Sequence, residues 1–374
     1  MVSAKQLEGD HSLLKPNNNN EQLKCQLTPI KGSKVLLYQL RASLGRVTAC
    51  EGLPFNAEEG QSLLGPLILA QWEDCAWKGR FNYDVTSCET KVICGGNKFI
   101  AQLNEKWSLN SPAAIENQVI LPLGPSKIKN VKIHREDILL CIASGENEIS
   151  QLISSAVVPQ DGTLIFINPD PIEYGHVYLA PYGFHHQSKM LDKRSLEFII
   201  QIAVEVEDCS FRVFYDHAPL ANPGAACFQA NFFENALPVE RLELAPVSGN
   251  VLDKGVLIYE VVGYPLKTLV FMSKGNLKLL IAFVTEICSV LQERNAVFSL
   301  LITDGGRKFF LFPQASSPSA LHLSAWECGG YFLFKNAAEF HNISDDEISE
   351  YLASVSLDDE GFLTLKQLSC SIAN

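Results

Sequence analysis

Twice along this chain a series of short apolar runs separated by turns is joined to one long amphipathic helix, and that recurrence restricts the fold more than any other feature. In the first instance DILLCIA and GTLIFINPD precede LEFIIQIAVEV, where Leu196, Ile199, Ile200, Ala203 and Val206 keep the three-to-four spacing of one buried helical face. After Pro238-Val239-Glu240 the pattern restarts with GVLIYEVV, a helix carrying Leu277, Leu280, Ile281, Val284, Ile287 and Leu291, and then FSLLITDGGRKFFLFP, whose Asp304-Gly305-Gly306 turn predicts a hairpin. The earlier runs YDVTSCETKVIC and KFIAQLN flank a Gly95-Gly96-Asn97 turn and extend a mostly antiparallel sheet. Pro66 suits the first turn of a helix that Gly79 ends, Ser195 is placed as a cap of the second helix, and Ser344 with Glu347 forms a capping box for a C-terminal one.

The expected class is α+β, an antiparallel sheet with packing helices in two related αβ units. Their expected spans are 31–245 and 246–374, behind a disordered polar tail at 1–30 that holds the Asn17–Asn20 run. A chain of 374 residues exceeds the usual single core, and 47% apolar with 19% charged residues is ordinary globular composition. A formal charge of −12 gives no general attraction to nucleic acid or anionic lipid, so neither is expected as a partner. Eleven cysteines, without CxxC pairs, read as scattered reduced thiols. The first residues lack the apolar core of a signal peptide, and no apolar run nears the roughly 18 residues of a bilayer span. A cytoplasmic location is expected, with a nuclear pool left open. No metal or cofactor is expected: His185-His186 lacks companion ligands, and Asp358-Asp359-Glu360-Gly361 lacks the remaining calcium-loop oxygens and reads as a turn or helix cap.

The runs FNYDVTSCETKVICGGNKFIAQLNEKW (81–107), INPDPIEYGHVYLAP (167–181) and ITDGGRKFFLFPQ (302–314) resemble the plant GDP-L-galactose phosphorylases and the related GDP-D-glucose phosphorylases. The resemblance implies a histidine-triad fold akin to galactose-1-phosphate uridylyltransferase. It also implies transfer of GMP from a GDP-hexose to phosphate through a guanylyl-histidine, on the way to ascorbate. That chemistry needs a neutral imidazole nucleophile, a polar partner for its other nitrogen, and donors for the phosphoryl charge. The family's His-x-His-x-Gln falls here on Ala225, Ala226, Cys227, Phe228 and Gln229, so both histidines are replaced and Cys227 stands at the nucleophile position. Upstream, Tyr215-Asp216-His217-Ala218-Pro219-Leu220 departs from the family's phosphate-contacting turn, and Leu109-Asn110-Ser111-Pro112 replaces its basic segment.

Candidate acid–base or nucleophilic groups are therefore Cys227, His217, Asp216 and His176, each with a bland counterpart: a buried core thiol for Cys227, a hydrogen-bonded structural imidazole for His176. Adjacent strand residues point to opposite faces, which separates Asp216 from His217. Gln102, Asn104, Tyr215 and Gln229 are the candidate pocket residues, with Glu105 beside them in QLNE. Three functional readings follow. One is a non-catalytic or regulatory relative binding a small molecule in the former GDP-hexose pocket or a protein such as an active family member. Another is a repurposed enzyme acting on a non-nucleotide metabolite. The third is a weak GDP-hexose phosphorylase using Cys227. Oligomeric state is not set by these residues.

Overall fold

The computed structural model describes residues 34–42, 62–107, 135–159, 161–181, 191–217, 228–247, 255–273, 275–315 and 322–373. The expected tail at 1–30, Leu109-Asn110-Ser111-Pro112, His185-His186 and Ala225-Ala226-Cys227 lie outside the described residues. The first half supplies β1 (Lys34–Leu40), β2 (Glu89–Val92), β3 (Ile100–Leu103), β4 (Ile138–Ser144), β5 (Gln151–Val157), β6 (Thr163–Ile167), β7 (Val177–Pro181), β8 (Phe211–His217) and β9 (Phe228–Phe232). The second half adds β10 (Leu244–Pro246), β11 (Val256–Val261), β12 (Leu269–Ser273), β13 (Val297–Thr303), β14 (Lys308–Gln314) and β15 (Tyr331–Phe334).

Twelve strands form one sheet in the order β10-β11-β12-β14-β13-β8-β9-β7-β6-β4-β1-β5, and β15-β3-β2 form a second. Among the described strands of the large sheet, only β1 and β4 pair in parallel. Strands β8 and β13 join the two halves edge to edge, with Ser299 opposite Asp216 and Leu300 opposite Tyr215, so the sheet runs unbroken across residue 245. Both β13 and β14 are buried along almost their whole length, which explains why they read as continuous apolar runs rather than alternating ones. Asp304, Gly305 and Gly306 between them all have positive φ (52°, 56° and 84°), a backbone path that glycine takes without steric cost.

Helices α1 (Leu64–Trp77), α2 (Lys193–Val206) and α3 (Leu277–Glu293) are followed by the short α4 (Ala325–Cys328), then α5 (Ala337–Asn342), α6 (Asp345–Val355) and α7 (Asp359–Ala373). The five apolar positions that predict α2 are all buried, as are Leu280, Ile281, Val284, Ile287 and Leu291 of α3. The start of α2 differs from the sequence reading. The Asp192 carboxylate accepts from the Ser195 N–H (3.0 Å) and hydroxyl (2.7 Å), so Asp192 is the cap and Ser195 sits inside the first turn. Ser344 and Glu347 form the expected capping box at α6. Asp358 accepts from the Gly361 N–H (2.8 Å) at the start of α7.

Candidate functional site

His176 immediately precedes β7 and is fully buried. Its Nδ1 accepts from the Ile172 N–H (3.1 Å) and lies 3.1 Å from Asn168 Nδ2. A backbone N–H can only donate, so Nδ1 carries no proton and the Nε2–H donates to Gln229 Oε1 (3.0 Å). Register brings these two together: Gln229 of β9 stands opposite Tyr178 of β7. Gly175 permits the approach, because its φ is +69° and a Cβ there would meet the Phe232 ring at 2.6 Å. Burial pushes the imidazole down to about 3. Both ring nitrogens are occupied, so the side chain works as a neutral pin between β7 and β9.

Two outcomes follow. Nitrogen-15 imidazole spectra of the folded protein should show His176 as the neutral Nε2–H tautomer with no titration down to about pH 4, and a shift between pH 6 and 7 would sink that assignment. Gln229→Leu leaves the buried Nε2–H without an acceptor and should cost about 1–3 kcal/mol in denaturant unfolding.

Asp216 and His217 close β8 on opposite faces of the sheet. The Asp216 carboxylate accepts from the Ala325 N–H (2.8 Å) at the start of α4. Burial lifts this carboxyl to about 6, with Ser299 and the Ala325 N–H working against the rise. His217 packs with Phe298 (5.0 Å) and Tyr215 (6.5 Å), on the α3 side, where the Tyr215 hydroxyl accepts from Gln292 Nε2 (3.1 Å). Burial pushes the His217 imidazole down and the Tyr215 phenol up. Asp216 and His217 therefore form no acid–base pair. Trp326 of α4 covers the other face, its ring 6.2 Å from that of His176 and 6.0 Å from Phe214. Beneath the same face Asn231 is fully buried with neither amide atom paired, as is the Trp326 indole N–H.

Gln102 and Asn104 come from β3 and the residue after it, and both are buried. The two do not join the His176 and Gln229 pair. Gln102 instead lines a cleft of about 540 Å³ together with Glu173, Tyr174, Asp208, Glu234 and Tyr331. A second cleft of about 430 Å³, bordered by Trp72, Phe81, Tyr83 and Asp84, shares Val85, Thr86 and Tyr174 with the first. Neither is lined by His176, Tyr215, Asp216, His217 or Gln229. Sequence reasoning missed Glu173 and Tyr331 here. The first lies inside the family-like run 167–181 beside His176, a signal within reach; the second sits on β15, a strand the pattern did not announce.

The largely antiparallel sheet with its packed helices is the histidine-triad-like fold that the resemblance implies. Yeast Ap4A phosphorylase Apa2 in complex with Ap4A has the same fold at TM-score 0.53 and 13% identity, over 80% of this chain and 99% of that one. The same enzyme in complex with AMP matches at 0.52 and 13%, over 79% and 97%. Within that class, residues 63–231 match the GDPGP1-like N-terminal domain and residues 238–374 the GDPGP1-like C-terminal domain. GDP-L-galactose phosphorylase 1 of Arabidopsis thaliana is 31% identical over 83% of this chain and 75% of its own length. GDP-D-glucose phosphorylase 1 of Danio rerio is 22% identical over 87% and 94%. The chain belongs to this GDP-hexose phosphorylase-like family. No described helix is long and apolar enough to cross a membrane.

Proposed function

We propose that this chain is a family member that has lost efficient guanylyl transfer and acts as a non-catalytic or regulatory relative, binding a small molecule or a protein. The observation that carries the reading is the replacement of both motif histidines by Ala225 and Cys227. Losing the nucleophile removes the covalent route, and what stands nearby does not replace it. His176 has both nitrogens engaged, and His217 packs on Phe298 on the α3 side, away from Asp216. Among the described residues no lysine or arginine lines either cleft to offer a cation to a diphosphate. The repurposed-enzyme reading draws support from Asp216, whose carboxyl burial lifts to about 6, but its neighbour His217 lies on the other face.

Phosphorolysis of GDP-L-galactose and GDP-glucose, followed by GDP release and run beside the Arabidopsis relative, should proceed at least about 10³-fold more slowly. Calorimetry should show no GDP-hexose binding tighter than about 1 mM, an affinity near −4 kcal/mol. Turnover matching the relative, or a guanylyl adduct on Cys227 by intact mass, overturns the proposal in favour of a thiolate phosphorylase.

A further inference from the structure

The cleft lined by Gln102 lies apart from the nucleophile position and from the His176–Gln229 pair. Ser210 and Phe233 place it at one end of the β8–β9 hairpin. Phe228, next to the nucleophile position, lies at the other end, about 14 Å of strand away.

Among the described residues three carboxylates, Glu173, Asp208 and Glu234, line this cleft, and no lysine or arginine does. Acidic side chains alone would mark only a solvated surface. Gln102 supplies an independent feature. It is 1% exposed, and its Nε2 donates to the Ile172 carbonyl (3.1 Å) and the Tyr331 hydroxyl (2.9 Å). A carbonyl can only accept, so the amide cannot be flipped. Its Oε1 is left buried without a partner. Such an acceptor is unfavourable until a donor reaches it.

The carboxylate beside it is also incompletely used. Glu173 accepts from the Tyr331 hydroxyl (3.1 Å) and the Tyr174 N–H (2.9 Å), one bond per oxygen, with lone pairs remaining. Burial raises its carboxyl, and the nearby Glu234 charge raises it further, a repulsion that a bound cation would relieve. Past Tyr174 the wall becomes aromatic: the Trp72 ring lies 5.0 Å from Tyr174 and 4.6 Å from Phe81. An aromatic surface beside carboxylates suits a positive head on a carbon chain.

We propose that this cleft binds a small organic cation, with a guanidinium or primary ammonium head held by Glu173, Glu234 and Gln102 Oε1 and an alkyl arm running along Tyr174 toward Trp72. The site stands whether or not guanylyl transfer persists.

Agmatine is the probe, titrated into the full chain with tryptophan fluorescence and heat as readouts, beside N-butylurea as a neutral counterpart. Saturable agmatine binding below about 1 mM is expected, with Glu234→Gln weakening it about tenfold, or ~1.4 kcal/mol. Glu173→Gln keeps one of its two acceptor oxygens, enough for the Tyr174 N–H, and should weaken binding by a similar factor. Thr90→Lys, an exposed strand position lining the cleft, should abolish binding while the melting temperature stays in place. Absence of saturable agmatine binding to the unmodified chain overturns the proposal. So does equal affinity for N-butylurea, or agmatine binding that ignores Glu234→Gln and Thr90→Lys; the first of these two would make the cleft a neutral-ligand site.

Discussion

Arg212→Ala is expected to cost about 3–5 kcal/mol of stability, because it strips the partner from a buried carboxylate. The Arg212 guanidinium, on β8, donates from Nε to Glu240 Oε1 (2.7 Å) and from Nη2 to Oε2 (3.3 Å). Nη1 serves the carbonyls of Ser210 (2.7 Å), Phe233 (3.2 Å) and Cys209 (3.3 Å), so nearly every donor of the fork is used. Glu240 also accepts from the Leu237 N–H (2.8 Å). Removing the arginine leaves a carboxylate with 12% side-chain exposure and three carbonyls without their donor. The pair ties the base of the β8–β9 hairpin to the segment 237–240, where the N-terminal family domain gives way to the C-terminal one. Arg212→Lys keeps the charge but not the planar fork and should fall between the two. Arg212→Met with Glu240→Met should recover much of the loss, since an apolar pair leaves no buried charge. Denaturant midpoints at constant slope report all three. A loss under about 1 kcal/mol for Arg212→Ala would mean that water enters and solvates Glu240.

How far the sequence reaches depends on how local each cause is. The buried faces of α2 and α3 are written in residue spacing, and the 304–306 turn in its glycines. Strand β5 is not legible: QLISSAV is exposed at nearly every position, as an edge strand can be, and shows no alternation. Strand β15 is four buried residues whose partner, β3, lies some 230 positions earlier, so nothing local marks it. The same division holds at the site. Period-two geometry places Asp216 and His217 on opposite faces from sequence alone. The meeting of His176 with Gln229 depends on the β7–β9 register, and that of Gln102, Glu173 and Tyr331 on how the small sheet sits over the large one. Neither is readable from spacing.

Glu327→Gln should remove most of an alkaline loss of stability worth on the order of 4 kcal/mol. Glu327 is almost wholly buried on α4, where its Oε2 accepts from the Ser324 N–H (2.7 Å) and hydroxyl (2.7 Å). Burial raises its carboxyl from 4.5 to about 8, Asp216 adds to the rise, and the Ser324 bonds oppose it. The native state thus holds a proton that the unfolded chain releases near pH 4.5. The stability this contributes is complete below pH 4.5 and is lost as pH rises through about 8. Asp216 acts in the same sense over a lower window, from 3.8 to about 6. His176 acts oppositely: its folded value near 3 lies below the unfolded 6.5, so its contribution is present above 6.5 and lost as pH falls toward 3. The two senses meet over α4, whose Trp326 covers His176 while its first N–H is held by Asp216. Glutamine keeps an oxygen for both Ser324 bonds and has no proton to lose. Unfolding free energies at pH 5, 7 and 9 should therefore converge for the two proteins at pH 5 and separate progressively above it, the variant being the more stable at pH 9. Parallel pH curves would show that Glu327 ionises in the fold without penalty, and that the polar layer under α4 is wetter than its packing indicates.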